Sequence, residues 1–162
     1  MQSKDILTLT EALGEKLLAH KIILTTVESC TGGLFSAQIT NTPGSSAWFD
    51  RGFITYSNQS KIDCVKVKKN TIEKFGAVSQ QTADEMALGG IENSQGNIAL
   101  GITGIAGPKG GSQLKPIGTI FFGIAKKENI IFQQKAFFEG NREEIREKAV
   151  LFALNQLLAL TL

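Results

Sequence analysis

Apolar residues recur at helical spacing over residues 4–19. Ile6, Leu9, Leu13 and Leu17 share a face while Asp5, Glu11, Glu15 and Lys16 lie elsewhere, which predicts an amphipathic helix closed by His20. Residues 22–27 (IILTTV) form a β-branched apolar run of strand length. ESCTGG (28–33) follows, then a helical stretch with Leu34, Phe35, Ala37 and Ile39, which Pro43 and Gly44 stop within residues 41–46. Residues 52–56 read as a second strand, Ser57 to Val65 as a helical turn or short helix, and 68–75 as a further helical stretch ending at Gly76. Ser79 is the expected cap of a helix from 80 to about 92, with Ala83, Met86, Ala87 and Ile91 on one face. Residues 97–103 are a buried-type strand, and 104–116 a Gly-rich loop. Strands at 118–125 and 129–138 predict a hairpin around Lys127, Glu128 and Asn129. Asn141 with Glu144 three residues later is a capping box. It opens a last helix that carries Ile145, Val150, Leu151, Leu154 and Leu158 and runs almost to Leu162.

Strands and helices alternate through most of the chain. That pattern predicts an α/β domain, a three-layer α/β/α sandwich with a mixed, mostly parallel sheet, the mixing coming from the late hairpin. A length of 162 residues fits one domain spanning 1–162, with a core large enough to need no staples. The formal net charge of +2 is too small for an electrostatic nucleic-acid binder. The single basic cluster, Lys66, Lys68 and Lys69, reads as a solvated face. Polar and acidic residues precede the first apolar run, and no stretch approaches the length of a membrane helix. The expected location is the cytoplasm, with no membrane or nucleic-acid partner.

Scarcity of ligands narrows the chemistry. His20 is the only histidine, and Cys30 and Cys64 are the only thiols, so neither a zinc site nor a Ser-His-Asp triad is expected. Three polar loops follow strands: 28–33, 56–61 and 103–116. Sites in open α/β sheets gather at the carboxyl ends of strands. In the first loop, Ser29 stands between a strand and a helix, where backbone N–H groups near Thr31 to Gly33 can meet a developing oxyanion and two glycines permit close approach. The same residues also fit a plain helix start with Ser29 as its cap. A serine nucleophile needs a base, and without histidine the choices are Tyr56 and Lys61, a lysine serving if burial lowers its pKa. Thr103 sits at a strand end within reach of a substrate. The Gly-rich loop after it lacks the order of an NTP or dinucleotide loop yet is rich in amides that cradle anions. Arg142 and Arg146 share a face of the last helix, and Arg142 is suited to a phosphate.

TVESCTGG (26–33), TPGSSAWF (42–49), ITYSNQSK (54–61), GAVSQQTA (76–83), TGIAGPKGG (103–111) and KPIGT (115–119) together resemble, in order, the CinA C-terminal domain family of nicotinamide-nucleotide amidohydrolases. The resemblance covers nearly the whole chain and implies hydrolysis of nicotinamide mononucleotide to nicotinic acid mononucleotide and ammonia. It implies Ser29 as nucleophile, Lys61 as base, and Tyr56 and Thr103 as further active-site residues, with no metal or cofactor. It carries substrate contacts to Glu28, Thr31, Gly32, Gly33, Ser45, Ser46, Gly104, Ala106, Gly107 and Arg142. The phosphate falls either to the Gly-rich loop or to Ser45, Ser46 and Arg142. A homodimer is expected. Val27 and Arg51 depart from residues common in the family, and longer relatives carry an additional N-terminal domain, so a stand-alone form is expected here. Two alternatives stand beside this reading: a nucleotide-binding module without turnover that acts through a protein partner, and a hydrolase using Cys30 as nucleophile.

Overall fold

A computed structural model describes residues 3–161, so Leu162 lies outside the described residues. Six α-helices and five strands follow in the order α1 (Ser3–Ala19), β1 (Leu24–Glu28), α2 (Leu34–Thr40), β2 (Phe49–Ile54), α3 (Asn58–Val65), α4 (Lys69–Phe75), α5 (Gln80–Glu92), β3 (Ile98–Gly104), β4 (Thr119–Lys126), β5 (Asn129–Phe137) and α6 (Arg142–Ala159). A short 3-10 turn, Ser45–Ala47, precedes β2. The strands form one sheet in the order β2-β1-β3-β4-β5. β1 runs parallel to both β2 and β3, while β4 is antiparallel to β3 and to β5, so β4 alone is reversed. The sheet is therefore mixed and mostly parallel, as the alternating pattern predicts.

Strand periodicity sorts residues between two unlike faces. Leu24, Ile98, Leu100, Ile102, Ile120, Phe122 and Ile124 point to a large core shared with Leu13 and Leu17 of α1, Phe35 and Ile39 of α2, and Ile145, Val150 and Leu154 of α6. On the other face Val27, Val65, Val67 and Met86 make a smaller cluster. Val27 thus has a packing role. Small residues let α5 lie close on this face. Gly101 pairs across the sheet with Gly123, and a Cβ on Gly101 would stand 2.3 Å from the Ala83 carbonyl oxygen of α5.

Three boundaries differ from the periodicity reading. β2 starts at Phe49 rather than Gly52, because it pairs with β1 from Leu24 onward, and pairing sets strand ends more firmly than composition. β1 starts at Leu24, because Lys21 takes a left-handed φ of 53° and the Ile22 N–H returns to the Leu17 carbonyl, so this stretch closes α1. The last helix ends at Ala159. The caps match expectation: Ser79 accepts from the Thr82 N–H, and Asn141 and Glu144 complete the reciprocal capping box. His20 follows α1 with Nδ1 2.9 Å from the Lys16 carbonyl oxygen. Among the described residues no helix is long and apolar enough to cross a membrane.

The close seat of α5 is testable. Gly101→Ala forces a methyl group into the Ala83 carbonyl and is expected to lower the unfolding free energy by about 2 kcal/mol, read from urea denaturation midpoints.

Candidate active site

Alternation along β1 decides what the first loop can do. Thr26 and Glu28 turn toward α2, where Thr26 Oγ1 lies 2.7 Å from Ser36 Oγ. Ser29 turns to the opposite side. Glu28 is fully buried, and its carboxylate accepts from the N–H groups of Gly33 (3.0 Å), Phe35 (3.1 Å) and Ser36 (2.9 Å) and from Ser36 Oγ (2.7 Å). Gly33, the residue before α2, has no side chain to cap it, so Glu28 caps the helix from the strand below. Gly32 and Gly33 turn the chain with φ of 58° and 92°, a left-handed region open to glycine at little cost. The Ser29 N–H donates to the Ile102 carbonyl of β3, and the Gly32 N–H returns to the Ser29 carbonyl.

Lys61 meets Ser29 from α3. Ser57 caps that helix by accepting from the Ser60 N–H, which sets its first turn beneath the end of β2. Lys61 is 1% exposed, and its Nζ lies 3.0 Å from Ser29 Oγ, 2.7 Å from the Thr55 carbonyl oxygen and 3.3 Å from that of Tyr56. Burial lowers the ammonium from its ordinary 10.5 to about 8. A neutral amine has two protons and one lone pair. With both protons on the two carbonyls, the lone pair is left for the Ser29 hydroxyl.

Ser29 and Lys61 face a cavity of about 250 Å³ at the carboxyl ends of β1, β2 and β3. Its walls include Cys30, Tyr56, Thr103, Gly104, Ala106 and Arg142, so the three polar loops converge. Thr103 Oγ1 donates to the Ala77 carbonyl at 2.8 Å. Arg142 bridges two sides of the rim, donating to the Gly107 carbonyl (2.6 Å) and to the Tyr56 hydroxyl (2.9 Å). Tyr56 is largely exposed; its backbone carbonyl holds Lys61 while its ring lies at the mouth. Burial pushes the Cys30 thiol up to about 12, which disfavours the thiolate that a cysteine nucleophile needs.

Several expected substrate contacts lie elsewhere. Glu28 is enclosed beneath the turn and occupied by α2, so it caps rather than faces the cavity. Thr31 is buried, and the N–H groups of Gly32 and Gly33 are already taken by Ser29 and Glu28. These three residues shape the turn and do not line the cavity. Ser45 and Ser46 precede β2, and the next residues lead to Trp48, whose carbonyl accepts from the Leu24 N–H at the start of β1. They therefore sit at the opposite end of the strands from Ser29. Gly107 contributes its carbonyl to Arg142 rather than a cavity surface. Arg51 pairs with Asp50 and the Asn93 carbonyl, away from the cavity.

Sequence reasoning missed other contributors. Asn58, Ala77 and Val78 line the cavity; the last two lie in GAVSQQTA, whose apolar start carries no chemical signal of its own. Lys115 ties this wall down by donating to the Phe75 and Val78 carbonyls. Among the described residues no group of three or more His, Cys, Asp and Glu side chains is gathered to hold a metal ion.

The family model for the CinA C-terminal domain matches residues 6–161. The chain is 46% identical over 154 residues to the nicotinamide-nucleotide amidohydrolase PncC of Enterobacter agglomerans, covering 95% of this chain and 94% of that protein. It is 41% identical over 157 residues to the PncC of Escherichia coli strain K12, covering 97% and 95%. The crystal structure of the competence/damage inducible protein CihA from Agrobacterium tumefaciens is 40% identical and superposes with a TM-score of 0.91, covering 96% of this chain and 94% of that one. The chain belongs to the CinA C-terminal domain family.

Proposed function

We propose that this chain is a nicotinamide-nucleotide amidohydrolase that converts nicotinamide mononucleotide and water to nicotinic acid mononucleotide and ammonia, with Ser29 as nucleophile and Lys61 as base. The observation that carries the reading is the 3.0 Å approach of a buried, carbonyl-held Lys61 Nζ to Ser29 Oγ at the floor of a cavity. Relatives that share most of the chain are named for this activity.

Neutral Lys61 takes the Ser29 proton as Oγ attacks the carboxamide carbon. The new alkoxide lies over the turn after Ser29. Lys61 returns that proton to the nitrogen as the carbon–nitrogen bond breaks, and ammonia leaves. Water then gives its proton to Lys61 and attacks the Ser29 ester. Ser29 regains the proton from Lys61 as the acid product forms, and that acid gives its remaining proton to solvent as it leaves as the carboxylate. Thr103 has committed its hydroxyl proton to Ala77, so it turns a lone pair to the cavity and accepts from the substrate NH2. Ala77, Val78 and Ala106 suit the faces of a flat ring. The ribose phosphate extends toward the open rim, where Arg142 stands ready as a bidentate donor.

Ammonia release from nicotinamide mononucleotide in the presence of chelator tests the reading. Wild type is expected to turn over, and Ser29→Ala and Lys61→Ala are each expected to lose activity about a thousandfold or more while remaining folded. A folded wild type without turnover would sink the enzyme and favour the binding-module alternative. The active form of Lys61 is the neutral one, so kcat/KM is expected to rise with pH through a midpoint near 8, and a flat profile from pH 6 to 10 would contradict its role as base. Thr103→Val removes the acceptor and leaves shape nearly intact. It is expected to lower kcat/KM at least about tenfold, with Thr103→Ser recovering most of the loss.

A further inference from the structure

Arg146 has no place in the chemistry above, yet it reaches from α6 into the turn that displays Ser29. Its Nε donates to the Cys30 carbonyl at 3.1 Å and its Nη2 to the Thr31 carbonyl at 2.7 Å. One planar guanidinium thus grips two successive peptide groups more than a hundred residues away. A trans peptide sets each N–H opposite its own C=O. The Cys30 carbonyl points to Arg146, so the Thr31 N–H points away from α6. The next peptide checks this geometry: the Thr31 carbonyl also points to Arg146, and the Gly32 N–H on its far side reaches the Ser29 carbonyl.

The hydrogen bonds of the turn leave a distinct remainder. Ser29 donates to Ile102, Gly32 to Ser29, Gly33 to Glu28, Leu34 to Thr31, and Phe35 and Ser36 to Glu28. Among the described residues of this segment, the N–H groups of Cys30 and Thr31 are left without an oxygen acceptor. Both meet the Cys30 thiol, and of the two residues Cys30 lines the cavity beside Ser29 while Thr31 does not. A protonated thiol is a weak acceptor that an oxyanion readily displaces.

We infer that Arg146 is a positioning residue: by gripping the Cys30 and Thr31 carbonyls it holds the turn, through the Gly32 N–H on the Ser29 carbonyl, in the form that presents the Cys30 amide to the cavity as a donor for the oxyanion formed on Ser29 attack. The side chain touches no reacting atom. This inference rests on the amidohydrolase reading.

The experiment compares wild type, Arg146→Met and Arg146→Lys in ammonia release from nicotinamide mononucleotide and from its thioamide analogue. Sulfur accepts hydrogen bonds weakly, so an enzyme that relies on oxyanion donors pays a rate penalty on the thioamide. Arg146→Met is expected to lose kcat about 30-fold with KM within about threefold. Its amide-to-thioamide rate ratio should fall about fivefold, because the donor that creates the penalty is no longer held. Arg146→Lys should fall between the two. A kcat within about threefold of wild type overturns the inference. So does a loss of kcat with an unchanged rate ratio, which marks a merely structural arginine. If Arg146→Met fails to fold, the same two readouts on Arg146→Lys decide, and failure of both to fold also assigns Arg146 a structural role. A wild type that releases no ammonia fails the amidohydrolase reading first and takes this inference with it, an outcome distinct from an active wild type with indifferent variants.

Discussion

The Glu28 carboxylate is the joint on which the site is built. It stands at the last residue of β1, buried, with four donors from the start of α2 on its two oxygens. A carboxylate so enclosed is stable only when its acceptor sites are filled and its charge lies near positive partial charge, which the helix N-terminus supplies. That bond set fixes the strand-to-helix angle. The fixed angle makes the intervening turn tight enough to require two left-handed glycines, and the turn in turn raises Ser29 on the face away from α2. Even the assignment of faces comes from one step of strand alternation: Glu28 inward to the helix, Ser29 outward to the cavity.

Lys61 supplies the opposite kind of constraint. The amine is buried, and among the described residues its hydrogen-bond partners are two carbonyls and a hydroxyl, with no carboxylate. An ion pair there would hold the ammonium charged and useless as a base. Neutral acceptors orient the nitrogen without offering that compensation, and burial then lowers its proton affinity. The two halves of the site therefore use polar burial differently. The charge of Glu28 is satisfied fully so that it stays fixed; that of Lys61 is satisfied incompletely so that a proton can move.

Most of the architecture was legible because its signals are local. The caps at Ser79 and Asn141, the hairpin after residue 118 and the β1 run each follow from a few neighbouring residues. The serine turn and Lys61 also stood out, since a histidine-poor chain leaves few bases, but their meeting depends on strand order, which periodicity does not encode. The expected contacts that lie off the cavity share one cause. Glu28, Gly32 and Gly33 carry the same polar or flexible character whether they face a ligand or brace the backbone, and Ser45 and Ser46 lie in a loop at the wrong end of β2. Arg146 was visible on the same helix face as Arg142, but only the folded chain shows that one reaches the rim and the other the underside of the turn.

The site draws Ser29 from the turn after β1, Lys61 from α3, Thr103 from β3, and the two arginine clamps from α6. During synthesis the N-terminal strands leave the ribosome first, at roughly 5–20 residues per second, so α6 emerges seconds after the Ser29 turn. Until it docks, nothing on that side grips the Cys30 and Thr31 carbonyls and the cavity lacks its Arg142 rim. The Ser29 turn is thus made early, and a helix made more than a hundred residues later completes its surroundings.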